Sequence, residues 1–318
     1  MKKICLYTFS GTGNTKLCGD YLKKHLEELG ATVDHYVFTV LNLDYPDPNN
    51  YDLIGIGYPI HAFNIPEIFV KFLKNFKKAN VKKKFFVYKT SGEPFKLNDA
   101  STSHAYRYLK KLNYEFVLEK HFIMPYNIMF DYDNRLKKQL YLYLDPLTKV
   151  FAIQIMNEDY KKMRFSKEKQ LLSTILRIEY IAPKLNSKFV RINKKKCINC
   201  KMCINNCPAQ AIYINKKGVY RVKSTCAMCM RCTLNCPTNA IKFGFMNSWK
   251  VNGKFNFEKL AKDDLIKPDF ISKKTKGYFK TFRKYFKEQN KLLERYNIEI
   301  PVQYEEIDKW GTYESNLS

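Results

Sequence analysis

The sequence is poor in tryptophan and histidine, and one long stretch of it has no acidic side chains. Its 318 residues include two tryptophans and five histidines, and no Asp or Glu lies between Tyr180 and Phe257. No apolar run approaches the length of a membrane-spanning helix, so we predict no integral membrane span. The short apolar run near the N-terminus is broken by Thr8 and Ser10, which argues against a signal peptide and predicts a cytoplasmic protein.

Arrangements typical of acid–base catalysis are also missing. No Ser/His/Asp triad or pair of carboxylates stands out, so we name no catalytic residue, and His61 and Glu93 are the nearest candidates. The formal net charge is +26, from 56 Lys and Arg against 30 Asp and Glu. Such a charge makes nucleic acid and membrane surfaces candidate partners. Because no known nucleic-acid-binding motif accompanies it, we predict no nucleic-acid partner.

Cysteine, in contrast, follows a strict pattern in the second half of the chain. Two runs, 197–208 and 226–237, each read C-x2-C-x2-C-x3-C-P. Ten cysteines in a chain that does not look secreted favour metal binding over disulfides. Two tetrahedral zinc sites are an alternative, but they would leave four thiols unused.

This spacing resembles that of two-cluster bacterial ferredoxins, in which the fourth cysteine of each run ligates the other cluster. The resemblance implies two [4Fe-4S] clusters. One would be held by Cys197, Cys200, Cys203 and Cys236, and the other by Cys226, Cys229, Cys232 and Cys207. Cys5 and Cys18 lack this spacing, and we expect both to be buried as small hydrophobic residues.

A glycine-rich loop near the N-terminus predicts an anion site. The apolar run 2–8 leads into Ser10-Gly11-Thr12-Gly13-Asn14-Thr15, and 16–29 has helical spacing. A loop joining a strand to a helix N-terminus points backbone N–H groups at an anion. The loop is not a P-loop, and Lys16 stands where the third glycine of a dinucleotide loop would be. It is similar to the flavodoxin loop that binds the terminal phosphate of FMN.

The pattern downstream predicts an α/β domain. Strands at 33–40, 51–57, 84–89 and 114–124 alternate with helices at 67–76 and 101–112. A last helix is predicted to start with Asp145 as its N-cap and Pro146 at its first position. Alternation of this kind predicts a doubly wound, parallel, five-stranded sheet. Residues 1–163 therefore resemble a whole flavodoxin domain.

The flavodoxin resemblance also implies residues around the flavin ring. Tyr58 or Phe63, after the third strand, would pack on the ring, and Thr90, Ser91 and Gly92, after the fourth, would contact its polar edge. Ordinary core packing is the alternative for Tyr58 and Phe63. His61 could tune the flavin or be a plain surface residue.

The rest of the chain divides into three predicted parts. Residues 164–187 form a linker helix that ends near Pro183, and 188–243 form a small α+β ferredoxin-like two-cluster domain. Residues 244–318 are a basic, aromatic extension of mixed helical character. Within it, 273–287 is basic, with Phe279, Phe282 and Phe286 on one helical face. We predict that this face packs on the protein itself, with a membrane or partner surface as the alternative.

Taken whole, the sequence resembles the flavodoxin–ferredoxin fusion proteins of anaerobic bacteria. The resemblance implies FMN and two [4Fe-4S] clusters in an electron-transfer protein that converts between one-electron and two-electron partners. The acid-free segment around the cysteines predicts an acidic redox protein as partner. A flavin-dependent oxidoreductase that reduces a small acceptor is one alternative, and a redox-sensing protein that binds nucleic acid is another.

Overall fold

The first half of the chain is built on a parallel sheet. The computed structural model describes residues 1–38, 44–160, 167–175, 180–248, 256–272 and 275–302. Five strands pair in the order β2-β1-β3-β4-β5, all parallel. This order is that of flavodoxin-like doubly wound sheets, and it confirms the predicted fold class. The strands are β1 (Lys3–Thr8), β2 (Thr32–Val37), β3 (Leu53–Pro59), β4 (Lys83–Ser91) and β5 (Tyr114–Ile123).

Helices cover both faces of this sheet. One apolar core lies under α1 and α5, and a second lies under α2 and α3. Because both faces are covered, β1 and β3 are almost entirely apolar and buried. The predicted second strand reached residue 40, but β2 ends at Val37, and 39–43 lie outside the described residues. The helices are α1 (Asn14–Glu28), α2 (Glu67–Lys74), α3 (Ala100–Lys111), α4 (Asn134–Leu142) and α5 (Leu144–Met156).

The predicted N-cap at Asp145 is wrong. Tyr143 joins α4 to α5 in a helical conformation, so α5 begins at Leu144 and Asp145 lies inside its first turn. There its carboxylate bonds to His25 Nε2 at 3.1 Å and ties α5 to α1. The apolar face predicted for this helix is buried as expected, at Leu147, Val150, Phe151 and Ile155.

The linker is described as two separate helices. They are α6 (Lys167–Ile175) and α7 (Ala182–Ser187), and 161–166 and 176–179 lie outside the described residues. The prediction that a helix ends near Pro183 is wrong, since Pro183 lies in the first turn of α7. Proline suits that position because the first turn has no intrahelical acceptor for its missing N–H.

The cysteine-rich region is small and nearly symmetric. Two short antiparallel pairs, β6 with β9 and β7 with β8, flank two one-turn helices. Each helix lies within one C-x2-C-x2-C-x3-C run. The elements are β6 (Val190–Ile192), α8 (Met202–Asn205), β7 (Ile212–Ile214), β8 (Tyr220–Val222), α9 (Arg231–Leu234) and β9 (Ile241–Phe243).

The C-terminal extension packs on the sheet domain. It contains α10 (Phe257–Lys262) and α11 (Lys280–Arg295). Phe282 and Phe286 are fully buried in the core under α5, with Phe279 packed against it. This confirms that the aromatic face covers the protein's own domain. In the part of the chain that the structure describes, no helix is long and apolar enough to cross a membrane.

Candidate functional site

The glycine loop between β1 and α1 has the geometry of an anion site. Gly13 precedes α1 with a φ of 111°, in the left-handed region that glycine tolerates, and no side chain caps the helix. The first N–H groups of an α-helix have no intrahelical acceptor, and they lie at the positive end of the helix dipole. No acidic side chain lies in the first turn of α1. The loop therefore fits a phosphate through its backbone.

The hydroxyls of this loop are bound within the protein. Ser10 Oγ accepts from the Gly13 N–H at 3.2 Å, and Thr12 donates to Asn127 Oδ1 at 2.7 Å. Thr15 is buried, with its hydroxyl 2.7 Å from that of Thr90. Asn14 donates to the Pro125 carbonyl at 2.9 Å. These bonds hold the loop in shape, so the backbone is its main donor surface.

An open cleft of about 820 Å³ lies along the loop. Ligand pockets typically have volumes of this order. One wall is the glycine loop with the start of α1, and the others come from the cysteine-rich region and from α10. The residues outside the loop include Asn127, Asn206, Arg231, Asn235 and Glu258.

The eight clustered cysteines surround two cavities in two sets of four. Cys207, Cys226, Cys229 and Cys232 line the first, which we call the inner cavity. Cys197, Cys200, Cys203 and Cys236 line the second, the outer cavity. These are the two sets that the ferredoxin resemblance implied. Among the described residues, no three His, Cys, Asp or Glu side chains are close enough to hold a single metal ion.

The backbone around both cavities has the same special conformation. Asn199 and Lys201 near the outer cavity, and Met228 and Met230 near the inner one, have positive φ between 48° and 58°. A positive φ at every second residue turns successive N–H groups toward one concave surface, which suits anions, including iron–sulfur sites. The fourth cysteine of each run also accepts an N–H bond at 3.3 Å, Cys207 from Ala211 and Cys236 from Ala240. The donor set and the backbone thus fit thiolate-bound clusters.

The clustered cysteines differ in acidity from one thiol to another. Burial raises the pKa of Cys226 to about 12 and that of Cys203 to about 11. Burial also acts on Cys236, but N–H bonds from Ala240 and Thr238 outweigh it and leave its pKa below the ordinary value. Iron must therefore displace protons from Cys203 and Cys226 when it binds.

The inner cavity lies directly against the glycine loop. A Cβ atom at Gly11 would lie 2.6 Å from the Cys229 carbonyl oxygen and 2.9 Å from its Cβ. Those are distances that real side chains do not tolerate, so glycine is required for the two segments to meet. The residue that touches the loop is itself one of the four cysteines of the inner cavity.

Arg231 stabilises this contact through hydrogen bonds. Its guanidinium donates to the Gly11 carbonyl at 3.1 Å and to the Ser10 carbonyl. It also donates to the Asn206 carbonyl at 3.4 Å. One side chain therefore joins the glycine loop to both cysteine runs, and it places a permanent positive charge beside the loop.

The structure contradicts the ring-packing role of Tyr58. Its ring is 0 % exposed, packs against Phe69 at 6.0 Å between centroids, and its hydroxyl faces Ser101 and Thr102 at 3.3 Å. It belongs to the core under α2 and α3, because β3 directs that side chain away from the open edge. Phe63 is half-buried in a turn with a φ of 67° and stays available to a ligand.

The end of β4 and the loop after it are largely occupied by protein contacts. Thr90 is buried against Thr15, and Ser91 Oγ donates to the Glu93 carbonyl at 2.7 Å and lies 2.8 Å from His121 Nε2. A Cβ at Gly92 would lie 2.2 Å from the ring of Tyr126, so that ring covers its Cα. Side-chain contacts from Thr90 and Ser91 to a flavin are therefore not supported, and backbone groups are what this loop can offer.

His61 and Glu93 show no catalytic arrangement. His61 is half-buried in a small cavity with Cys226 and Ala227, and burial lowers its pKa to about 4, so it is neutral near pH 7. It lies between the sheet domain and the cysteine-rich region. Glu93 accepts a hydrogen bond from the Tyr278 hydroxyl at 2.8 Å.

Sequence reasoning missed three residues at the site. One is Arg231, which takes the place of Met202 in the repeated cysteine pattern. Asn127 and Tyr126 follow β5 and meet the glycine loop and Gly92. Their position after a strand was a usable signal, because ligands bind at the carboxyl ends of parallel strands.

Comparisons with known proteins bear on both halves of the chain. A family model described as a 4Fe-4S dicluster domain matches residues 196–246. No curated protein matches the chain. The chain thus combines a region similar to 4Fe-4S ferredoxin-type domains with a flavodoxin-like sheet, and this combination supports a redox function.

Several solved structures are similar to the sheet domain. A flavodoxin of Streptococcus pneumoniae TIGR4 is 18% identical with a TM-score of 0.31, covering 37% of this chain and 83% of that one. A Lactobacillus acidophilus NCFM flavoprotein in complex with FMN is 18% identical with a TM-score of 0.30, covering 38% and 93%. Two-electron reduced Megasphaera elsdenii flavodoxin is 18% identical with a TM-score of 0.30, covering 37% and 84%. Likenesses this slight carry no argument about ligands.

Proposed function

We propose that this chain is an electron-transfer protein that couples two [4Fe-4S] clusters to one FMN. Residues 1–163 would hold FMN, and 188–243 would hold the clusters. The inner cluster would take Cys207, Cys226, Cys229 and Cys232, and the outer one Cys197, Cys200, Cys203 and Cys236. Bound clusters would pass single electrons, and FMN would exchange one or two with its partners.

The contact between Gly11 and Cys229 is the observation that carries this proposal. It places a cysteine of the inner cavity in van der Waals contact with the loop that fits a phosphate. An FMN whose phosphate this loop held would therefore be a neighbour of a cluster held by the inner cysteines. If the two regions did not work together, a contact between Gly11 and Cys229 would not be expected.

The chain's own residues would position the cofactors and tune them. Backbone N–H groups of the glycine loop and of α1 would bind the FMN phosphate. The positive-φ turns would direct N–H groups at the cluster sulfurs, and Arg231 would place its charge between the two sites. Hydrogen bonds and positive charge near a cluster shift its reduction potential.

Anaerobic purification with quantified iron, sulfide and flavin tests the proposal, followed by a stepwise reductive titration. We expect about eight irons and about one FMN per chain, from two cubanes and one phosphate loop. Two cluster signals and one flavin signal should titrate separately. Zinc in place of iron, or no flavin binding on addition of FMN, would contradict it. Turnover with NAD(P)H and no protein partner would favour the oxidoreductase alternative.

A further inference from the structure

The two cysteine cavities differ in the exposure of one cysteine each: Cys207 of the inner set is buried and Cys200 of the outer set is exposed, while the other six are half-buried. The inner one is covered by the glycine loop, and Met230 beside it is 2% exposed. The outer one opens to the surface at Cys200, and among all ten cysteines only Cys200 is exposed. We propose that an acidic one-electron redox protein docks over the outer cavity and exchanges electrons there. This inference rests on the proposed function and names where its partner binds.

The surface around Cys200 is continuous and open. Residues 194–196 and 198–202 are all exposed, and we call them the outer surface. Ile198, Lys201 and Met202 of this surface also line the outer cavity. A partner seated here would therefore contact residues that touch the outer cavity directly.

The charge of the outer surface determines the kind of partner. Lys194, Lys195, Lys196 and Lys201 are positive, and the acid-free stretch from Tyr180 to Phe257 supplies no nearby carboxylate from its own segment. A one-signed surface attracts partners of opposite charge and raises their association rate, most strongly at low salt. The fitting partner is an acidic protein.

The outer surface also contains two exposed apolar side chains. Ile198 is 64% exposed and Met202 is 39% exposed. Protein interfaces commonly place apolar groups at the centre and charged groups at the rim. Exposed apolar side chains near these lysines therefore favour a protein partner.

The electron balance at this surface is simple. One reduced partner molecule gives up one electron, and the cluster that the outer cysteines would hold gains it. No bond forms or breaks, and no proton moves. Transfer in the opposite direction oxidises that cluster and reduces the partner by one electron. A cluster held by the inner cysteines would pass the electron on toward the glycine loop.

The test compares two triple variants with the same change of charge. Lys194→Glu/Lys195→Glu/Lys196→Glu reverses the charge at three positions of the outer surface. Lys78→Glu/Lys110→Glu/Lys111→Glu is the control, at exposed positions beyond the carboxyl end of α2 and at that of α3. The probe is an acidic bacterial ferredoxin. Its binding is measured by surface plasmon resonance and its electron exchange by anaerobic stopped flow, each at several salt concentrations.

We expect the outer triple to weaken binding and slow exchange by about tenfold or more at low salt, with a flatter salt dependence. The control triple should change both by less than about twofold. Ile198→Gln leaves charge unaltered and should weaken binding with an unchanged salt slope. Equal effects of the two triples, or no effect of the outer triple and of Ile198→Gln, would overturn the docking site. Tighter binding of duplex DNA or anionic vesicles at the same lysines would overturn the choice of partner.

Iron, sulfide and FMN content and reduction by dithionite are measured on every sample. Normal values with unaltered ferredoxin binding in the outer triple contradict the docking site and leave the proposed function standing. Missing iron or flavin in the unsubstituted chain contradicts the proposed function itself.

Discussion

The two cysteine runs are repeats of one pattern, yet they meet different surroundings. Cys200 and Cys229 occupy the same place in the repeat, but Cys200 is exposed while Cys229 touches Gly11. Met202 and Arg231 also correspond, and only Arg231 bonds to the glycine loop. The spacing that holds a cluster is the same in both. Packing against the rest of the chain decides which one faces the sheet domain and which one faces solvent.

The largest expected effect is a difference in stability between the cysteine-rich region and the sheet domain when iron is removed. Removing iron with a chelator should unfold 188–243, because its short strands enclose few buried side chains and the clusters would form much of its core. The sheet domain, with two large apolar cores, should stay folded. Amide hydrogen exchange should show protection lost in β6 to β9 and kept in β1 and β3. Equal loss in both regions would mean that the two are one folding unit.

The next effect separates the two runs from each other. Cys200→Ser and Cys229→Ser should each remove one cluster, about four irons. Without the outer cluster, exchange with a protein partner should fall while small reductants still reduce the flavin. Without the inner cluster, a partner should still reduce the outer cluster, but electrons should reach the flavin slowly. Stopped-flow absorbance distinguishes these outcomes, and identical behaviour of the two variants would contradict the inner and outer roles.

A smaller effect is expected from enlarging Gly11. Gly11→Ala puts a Cβ within 2.6 Å of the Cys229 carbonyl, and crowding of this kind typically costs about 1–3 kcal/mol. Either the loop or the inner run must move, so thermal stability and flavin-to-cluster transfer should both fall. Gly218→Ala is the control, because a Cβ there has nothing within 4 Å, and its only strain is a positive φ of 68°. It should cost stability alone, about 1 kcal/mol.

The smallest effect comes from Arg231. Arg231→Leu removes its bonds to the Ser10 and Gly11 carbonyls, each worth about 1 kcal/mol. FMN affinity, measured by fluorescence quenching, should fall by about tenfold, and the potential of the inner cluster should fall as a nearby cation is lost. Arg231→Lys keeps the positive charge but loses the planar guanidinium with its several N–H donors. The potential of the inner cluster in this variant should lie between those of the unsubstituted chain and Arg231→Leu. Arg221→Leu, at an exposed arginine of the same region, should change neither quantity.

Local patterns allowed much of the fold to be predicted. The period of apolar residues and the spacing of glycines and cysteines are visible within short segments. The five strands, the glycine loop and the two sets of four cysteines could therefore be inferred before the structure was known. Asp145 was misplaced because Tyr143 continues the preceding helix, a feature with no signature in the residues around the expected cap.

Contacts between distant segments could not be predicted. The approach of Cys229 to Gly11 joins residues more than two hundred positions apart, and nothing in either motif specifies the other. Tyr58 was placed at the ligand because of its loop position, but the direction of its side chain depends on the alternation along β3. The covering of Gly92 by Tyr126 likewise depends on how the chain returns after β5.

The central claim is that the inner cysteines, and not the outer ones, lie beside the flavin. Anomalous diffraction at the iron edge, from crystals grown anaerobically with FMN, tests it most directly. We predict two four-iron centres, with the one held by Cys207, Cys226, Cys229 and Cys232 next to FMN bound at the glycine loop. FMN closer to the outer centre, or bound away from the glycine loop, would contradict the account.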